Sequence, residues 1–150
     1  MDTTNPRHRE QLTQIVLDAL KSVYGNEWKR RCGAAAGLAL RELQSQGIMN
    51  YRVAAGRVVE TDQAAAKTGH EPWVRYEGEY SGTGSSQYHV WLVDDATGHK
   101  IDYSELPSER YGRPFLWEPY EMVPELEYAE RPEITMTILP TMMRQYGPNT

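Results

Sequence analysis

The feature that most constrains this chain is a change of period: apolar residues recur every three or four positions in its first third and at every second position further on. Across residues 7–24, Leu12, Ile15, Val16, Ala19, Leu20 and Val23 fall at helical intervals, which predicts an amphipathic helix stopped by Gly25 and Asn26. A second helix is expected over 32–46, with Ala35, Ala36, Ala39, Leu40 and Leu43 as its apolar stripe and Arg41, Glu42 and Gln44 on its wet side. Gly47 stands where a left-handed cap is wanted. Residues 51–59 and 73–80 read as strands, with a turn at 82–86. His89–Val93 and 100–103 then bracket Asp94, Asp95, Ala96, Thr97 and Gly98 as a hairpin. The Pro-, Tyr- and Glu-rich stretch 104–132 reads as an irregular wrap, and Ile134, Met136 and Ile138 alternate with threonines as in a last strand. Helices grouped ahead of an antiparallel meander imply an α+β fold, N-terminal helices packed on an antiparallel sheet, rather than a parallel βαβ sheet.

A length of 150 residues fits one domain with one hydrophobic core. The expected organisation is a single domain over 1–150, with a catalytic core at about 26–104 and the wrap and last strand at 105–150. A net charge of −5 argues against nucleic acid as a partner, because phosphate binding needs clustered Lys and Arg. The cluster Lys29, Arg30 and Arg31 is too short to reverse that. No stretch has the eighteen or so apolar residues of a membrane span, so no membrane partner is expected, and the first residues lack the apolar core of a signal peptide. One cysteine forms no internal disulfide. A cytoplasmic location is the expectation, and export as an effector without a signal is compatible with the same sequence.

That cysteine is the centre of the chemical reading. A thiol attacks a carbonyl as its thiolate, so a catalytic cysteine needs surroundings that favour the anion. Cys32 falls at a predicted helix start, where backbone dipoles favour negative charge, and three basic residues precede it. The small residues Gly33, Ala34, Ala35, Ala36 and Gly37 would let another backbone approach this helix closely. His89 opens a strand, so its ring can emerge at a sheet end while Val90, Trp91, Leu92 and Val93 anchor it. Asp102 lies on the partner strand of the hairpin, within cross-strand reach of the imidazole. Asp94 and Asp95 sit nearer the turn and are weaker candidates for that role. A nucleophile, a base and a group that orients the base are the three parts a triad requires.

The segments RRCGAAAGLALREL, HVWLVDD and HKIDYS, in this order and on helix, strand and strand, resemble the transglutaminase-like branch of the papain-like cysteine enzymes over about residues 28–104. That branch includes transglutaminase-like peptidases, arylamine N-acetyltransferases and lasso-peptide leader peptidases. The resemblance implies Cys32 as nucleophile, His89 as general base and Asp102 as the carboxylate that orients the histidine. It also implies an oxyanion partner upstream of the cysteine, for which Asn26 and Trp28 are the candidates. The function expected is cysteine-dependent acyl transfer, hydrolysis of an amide bond being favoured, on a protein or peptide substrate and with no cofactor. The larger families carry a calcium site or an acyl-carrier pocket, and neither is evident in this shorter chain.

Other readings of the same residues stand beside this one. A lone cysteine in a helix also serves as a small core filler. His89 also suits a strand-end histidine bonded to backbone, and Asp102 suits a turn flank or a pair with Lys100 or an arginine. A zinc site from Cys32 with His70, His89 or His99 has suitable ligand types but lacks paired spacing. Trp73, Trp91, Trp117 and Tyr120 are candidates for a substrate groove and equally for packing. His8, His70 and His99 are expected on loops or the surface, and Glu118, Glu121, Glu125, Glu127 and Glu130 on a solvated face, with a surface for a basic partner as the alternative. A non-catalytic protein-binding module on the same fold is the alternative function.

Overall fold

The computed structural model describes residues 3–26, 31–61, 74–75, 88–103, 116–117 and 126–146. Helix α1, Pro6–Tyr24, starts where Asn5 accepts a hydrogen bond from the Arg7 N–H, with Pro6 in the first turn where its missing N–H costs nothing. Its buried residues are Arg9, Leu12, Thr13, Val16 and Leu20, whereas Ile15 and Val23 face outward. The stripe is thus rotated from the expected one. Thr13 is buried because the Trp117 indole donates to its Oγ1 at 3.1 Å, and Tyr103 Oη lies 3.2 Å from the same oxygen.

Helix α2, Cys32–Ser45, is buried over almost its whole first half, from Cys32 through Leu40 with Gly33 half-buried. Its small side chains explain this: α1, the sheet and a C-terminal helix all crowd against it. Gly47 follows the helix end at φ +80, in the left-handed region foreseen for it.

The sheet contains β1, Arg52–Glu60; β2, Val74–Arg75; β3, His89–Val93; β4, Lys100–Asp102; β5, Leu116–Trp117; and β6, Leu126–Glu130. Every pairing is antiparallel, and the path runs β2, β1, β3, β4, β5, with β6 also on β1. Val58 pairs with both Arg75 and Tyr128, and Gly56 with both His89 and Glu130, so β6 occupies one edge of β1 and β2 and β3 share the other. The body is therefore β6, β1, β3, β4, and it is curled. Three strand spacings would hold β6 about 14 Å from β4 in a flat sheet. Yet the Tyr128 hydroxyl on β6 donates to Asp102 on β4 at 2.7 Å.

Period two sorts the residues onto the two faces. Val53, Ala55, Val90, Leu92 and Ile101 join the three helices in the main core, and Ala54, Val58, Trp91 and Leu126 form a smaller core inside the curl. Each valine, leucine or isoleucine among them contributes roughly 1.5–3 kcal/mol by leaving water.

Two expectations for the C-terminal part are corrected. Leu126–Glu130 is a strand within the stretch read as irregular wrap, and the expected last strand through Ile134, Met136 and Ile138 is the helix α3, Pro132–Tyr146. The alternation of threonines misled, because each threonine finds a bond that suits a helix. Thr135 Oγ1 donates to Glu130 and accepts from the Ala55 N–H at 3.0 Å, and Thr137 Oγ1 donates to the Glu133 carbonyl. Pro132 at the helix start, Glu133 in its first turn and Arg144 in its last are ordinary helix signals, and Ile134, Ile138, Met142 and Tyr146 recur at i+4 on the packed side. Pro140 lies on the exposed side, where the carbonyl it leaves unbonded can be hydrated. Among the described residues no helix is long and apolar enough to cross a membrane.

Candidate functional site

Cys32 is the first residue of α2, His89 the first of β3 and Asp102 the last of β4. The hairpin register pairs Leu92 with Ile101 and Val93 with Lys100; continued by one residue it sets Asp102 opposite Trp91 and makes His89 its diagonal neighbour on the same face. The diagonal is closed by a hydrogen bond of 2.7 Å between His89 Nε2 and Asp102 Oδ2. Both groups are buried in the free protein: His89 is 0% exposed and Asp102 2%. The same Oδ2 accepts the Tyr128 hydroxyl, so one carboxylate oxygen takes donors from β3 and from β6.

Cys32 is a second polar neighbour of the imidazole. Burial by itself would push His89 down, and it is the largest influence on the ring. The charge and hydrogen bond of Asp102, joined by the smaller influence of the nearby Cys32, outweigh it and raise His89 to about 10. With Nε2 committed to Asp102, Nδ1 is the nitrogen available to the sulfur. An imidazole in these surroundings is held as imidazolium at neutral pH.

Cys32 keeps 9% of its surface exposed and lines an open cleft of about 280 Å³. The cleft lies between the start of α2, Tyr88 and Val90 at the start of β3, and Met142 and Tyr146 of α3. Arg31 stands at its edge with its guanidinium over the Tyr24 ring, 4.9 Å from the centroid. Lys29 and Arg30 lie outside the described residues.

The remaining candidates are distributed as follows. Asp94 and Asp95 are spent on the fold: Asp94 accepts from the Ala96 N–H, Thr97 and Asn50, and Asp95 accepts from Arg52. Thr97 and Asn50 hold the Asp94 carboxyl below its ordinary value, and Arg52 does the same to Asp95. Asn26 is exposed just past α1 and is not among the residues lining the cleft, while Trp28 lies outside the described residues. Trp91 and Trp117 stand in the packed interior rather than on a groove. Trp91 meets Tyr128 edge to face inside the curl, at 5.0 Å between centroids, and Trp117 is in the main core with its N–H donated to Tyr103 at 2.6 Å. Trp73, Tyr120, His70, Glu118, Glu121 and Glu125 fall outside the described residues. His8 and His99 are half-buried and Glu127 exposed. Glu130 departs from the solvated face expected of it, for both its oxygens bind Arg52 at 2.8 Å.

Tyr128 is the residue that reading by sequence missed. It lies in the stretch read as wrap, and the alternation of Leu126 and Tyr128 with Glu127 and Ala129 was the available signal for a strand. Among the described residues no group of three or more His, Cys, Asp and Glu side chains is arranged to hold a metal ion. Comparison with protein-family models, curated proteins and solved structures finds no match for this chain.

Proposed function

We propose that this chain is a cysteine-dependent acyl-transfer enzyme of the transglutaminase-like, papain-like kind, and that it hydrolyses an amide bond in a protein or peptide. The observation that carries the reading is the convergence of Cys32, His89 and Asp102 from three elements: the histidine bonded to the carboxylate at 2.7 Å, the cysteine acting on the same ring, and the cysteine also lining an open cleft. A cysteine kept only as core filler has no need of a protonated histidine partner.

The chemistry follows from the charges. The Cys32 sulfur, as thiolate, attacks the carbonyl carbon and forms the S–C bond, while the imidazolium of His89 gives its proton to the leaving nitrogen as the C–N bond breaks. The neutral imidazole then takes a proton from water, whose oxygen attacks the thioester; the S–C bond breaks and the acid is released. Asp102 keeps the ring in one orientation through both steps and favours its charged form. Backbone N–H groups at the start of α2, unpaired within the helix, are the main-chain donors this reading assigns to the oxyanion.

The test is alkylation of the native protein with iodoacetamide near neutral pH, followed by peptide mapping. Cys32 is expected to label quickly, and His89→Gln to slow it at least tenfold, on the order of a lost charge-assisted partner. Glutamine is the informative substitution, since alanine would remove the histidine's bond to the buried Asp102, leave it the Tyr128 hydroxyl, and destabilise the fold for that reason alone. Labelling of Cys32 only after denaturation would sink the enzyme reading and leave the binding module.

A further inference from the structure

We infer that the groove running from Cys32 along α3 selects a peptide whose attacked carbonyl belongs to an apolar, uncharged residue; this rests on Cys32 being the nucleophile. The cleft at Cys32 continues into a second lobe of about 260 Å³, and the two share Gly33, Tyr88, Val90 and Met142 as walls. Beyond those walls the second lobe is closed by Thr137, Ile138 and Thr141 of α3. Among the described residues that line either lobe there is no carboxylate, and the single charged side chain is Arg31, at the edge of the first lobe. In a protein of net charge −5 that composition is a choice against charge of either sign inside the groove. A charged side chain entering it would leave water without a partner, whereas an aliphatic one would bury against Val90, Met142 and Ile138. The two threonine hydroxyls on this wall are partly engaged within α3: Thr137 donates to the Glu133 carbonyl and can still accept, and Thr141 accepts from Arg144 and can still donate, which suits the N–H and C=O of an extended peptide backbone.

Gly33 sets the room beside the nucleophile. It follows Cys32 directly, and a β-carbon built there meets none of the described residues within 4 Å, so among them the space over it is open for the substrate rather than taken by packing. A larger side chain at this position would therefore project into the groove without disturbing the helix, where most residues are better tolerated than glycine.

The experiment measures the labelling rate of Cys32 by three acetylated amino-acid chloromethyl ketones, carrying leucine, aspartate or lysine next to the ketone. Each rate is divided by that protein's own iodoacetamide rate. In the reaction the thiolate sulfur bonds to the methylene carbon as the carbon–chlorine bond breaks and chloride leaves. The leucine probe is expected to exceed the other two by about tenfold or more. Gly33→Leu is expected to erase that preference, and Thr141→Lys, at an exposed position of the same wall, to raise the aspartate probe relative to leucine. If Gly33→Leu does not fold, Thr141→Lys decides alone. Equal normalised rates for the three probes, or ratios that neither variant moves, would overturn the groove assignment while leaving Cys32 as nucleophile. Failure of iodoacetamide to label native Cys32 would overturn both.

Discussion

At the scale of single residues the decisive unit is the imidazole of His89, because its charge state couples sulfur to carboxylate. Its folded-state value lies above the ordinary one of about 6.5, raised by Asp102 and Cys32 against the effect of burial. A group raised on folding contributes stability that is complete below its unfolded value and is lost as pH climbs through its folded value. The wild type is therefore expected to lead His89→Gln in Tm by most below about pH 6.5, with the lead shrinking toward pH 10. Thermal melts of both proteins across that range check it, and a lead that grows with pH would refute the assignment of charge. Tyr128 makes a separate prediction. Its hydroxyl holds the oxygen of Asp102 that also binds His89, so Tyr128→Phe removes a bond to a buried charged group and should cost about 1.5–3 kcal/mol by urea unfolding. As a positioning residue it should also change the pH profile of Cys32 alkylation, which loss of packing alone would not do. Cys32, His89 and Asp102 were all legible as candidates in the sequence because each opens or closes a periodic segment. Tyr128 was not, since its role depends on a curl no local pattern encodes.

Among the elements, α3 departs most from expectation and holds the groove together. Its Tyr146 ring lies directly over Gly37 of α2, and a β-carbon on Gly37 would collide with the near end of that ring. Glycine to alanine inside a helix ordinarily stabilises by about 0.5–1 kcal/mol. Here overpacking should reverse the sign, so that Gly37→Ala costs roughly 1–3 kcal/mol. The double variant Gly37→Ala with Tyr146→Ala should be more stable than the sum of the single changes, because the collision is then absent; strict additivity in denaturant titrations would contradict the contact. Helices α1 and α2 were readable to within a residue or two, as was the hairpin of β3 and β4, because each repeats one period long enough to be unambiguous. A five-residue apolar–Thr alternation is too short to separate strand from helix, and the bonds of Thr135 to Ala55 and Glu130 settled it.

For the molecule as a whole, Arg52 ties distant parts of the sheet. Its guanidinium bonds Asp95 at the tip of the β3–β4 hairpin and Glu130 at the end of β6, and those two carboxylates raise it well above its ordinary value while each is itself held low. Arg52 is 42% exposed on its side chain, so water and salt weaken the network. Arg52→Met is expected to lower Tm by a few degrees in dilute buffer and by less in molar salt, in melts run side by side. A loss unaffected by salt would mean that packing of the arginine stem, not its charge, holds the hairpin to β6. The α+β class, the two leading helices, the hairpin and the three residues of the candidate triad follow from the sequence alone, because periodicity and end positions are local properties of a chain. Only the tertiary structure decided that Tyr128 of β6 reaches Asp102, that Trp91 and Trp117 are interior, and that α3 walls a groove beside Cys32. Each of these depends on which surfaces meet after the sheet has curled, and curl is a sum over all strands that no single segment carries.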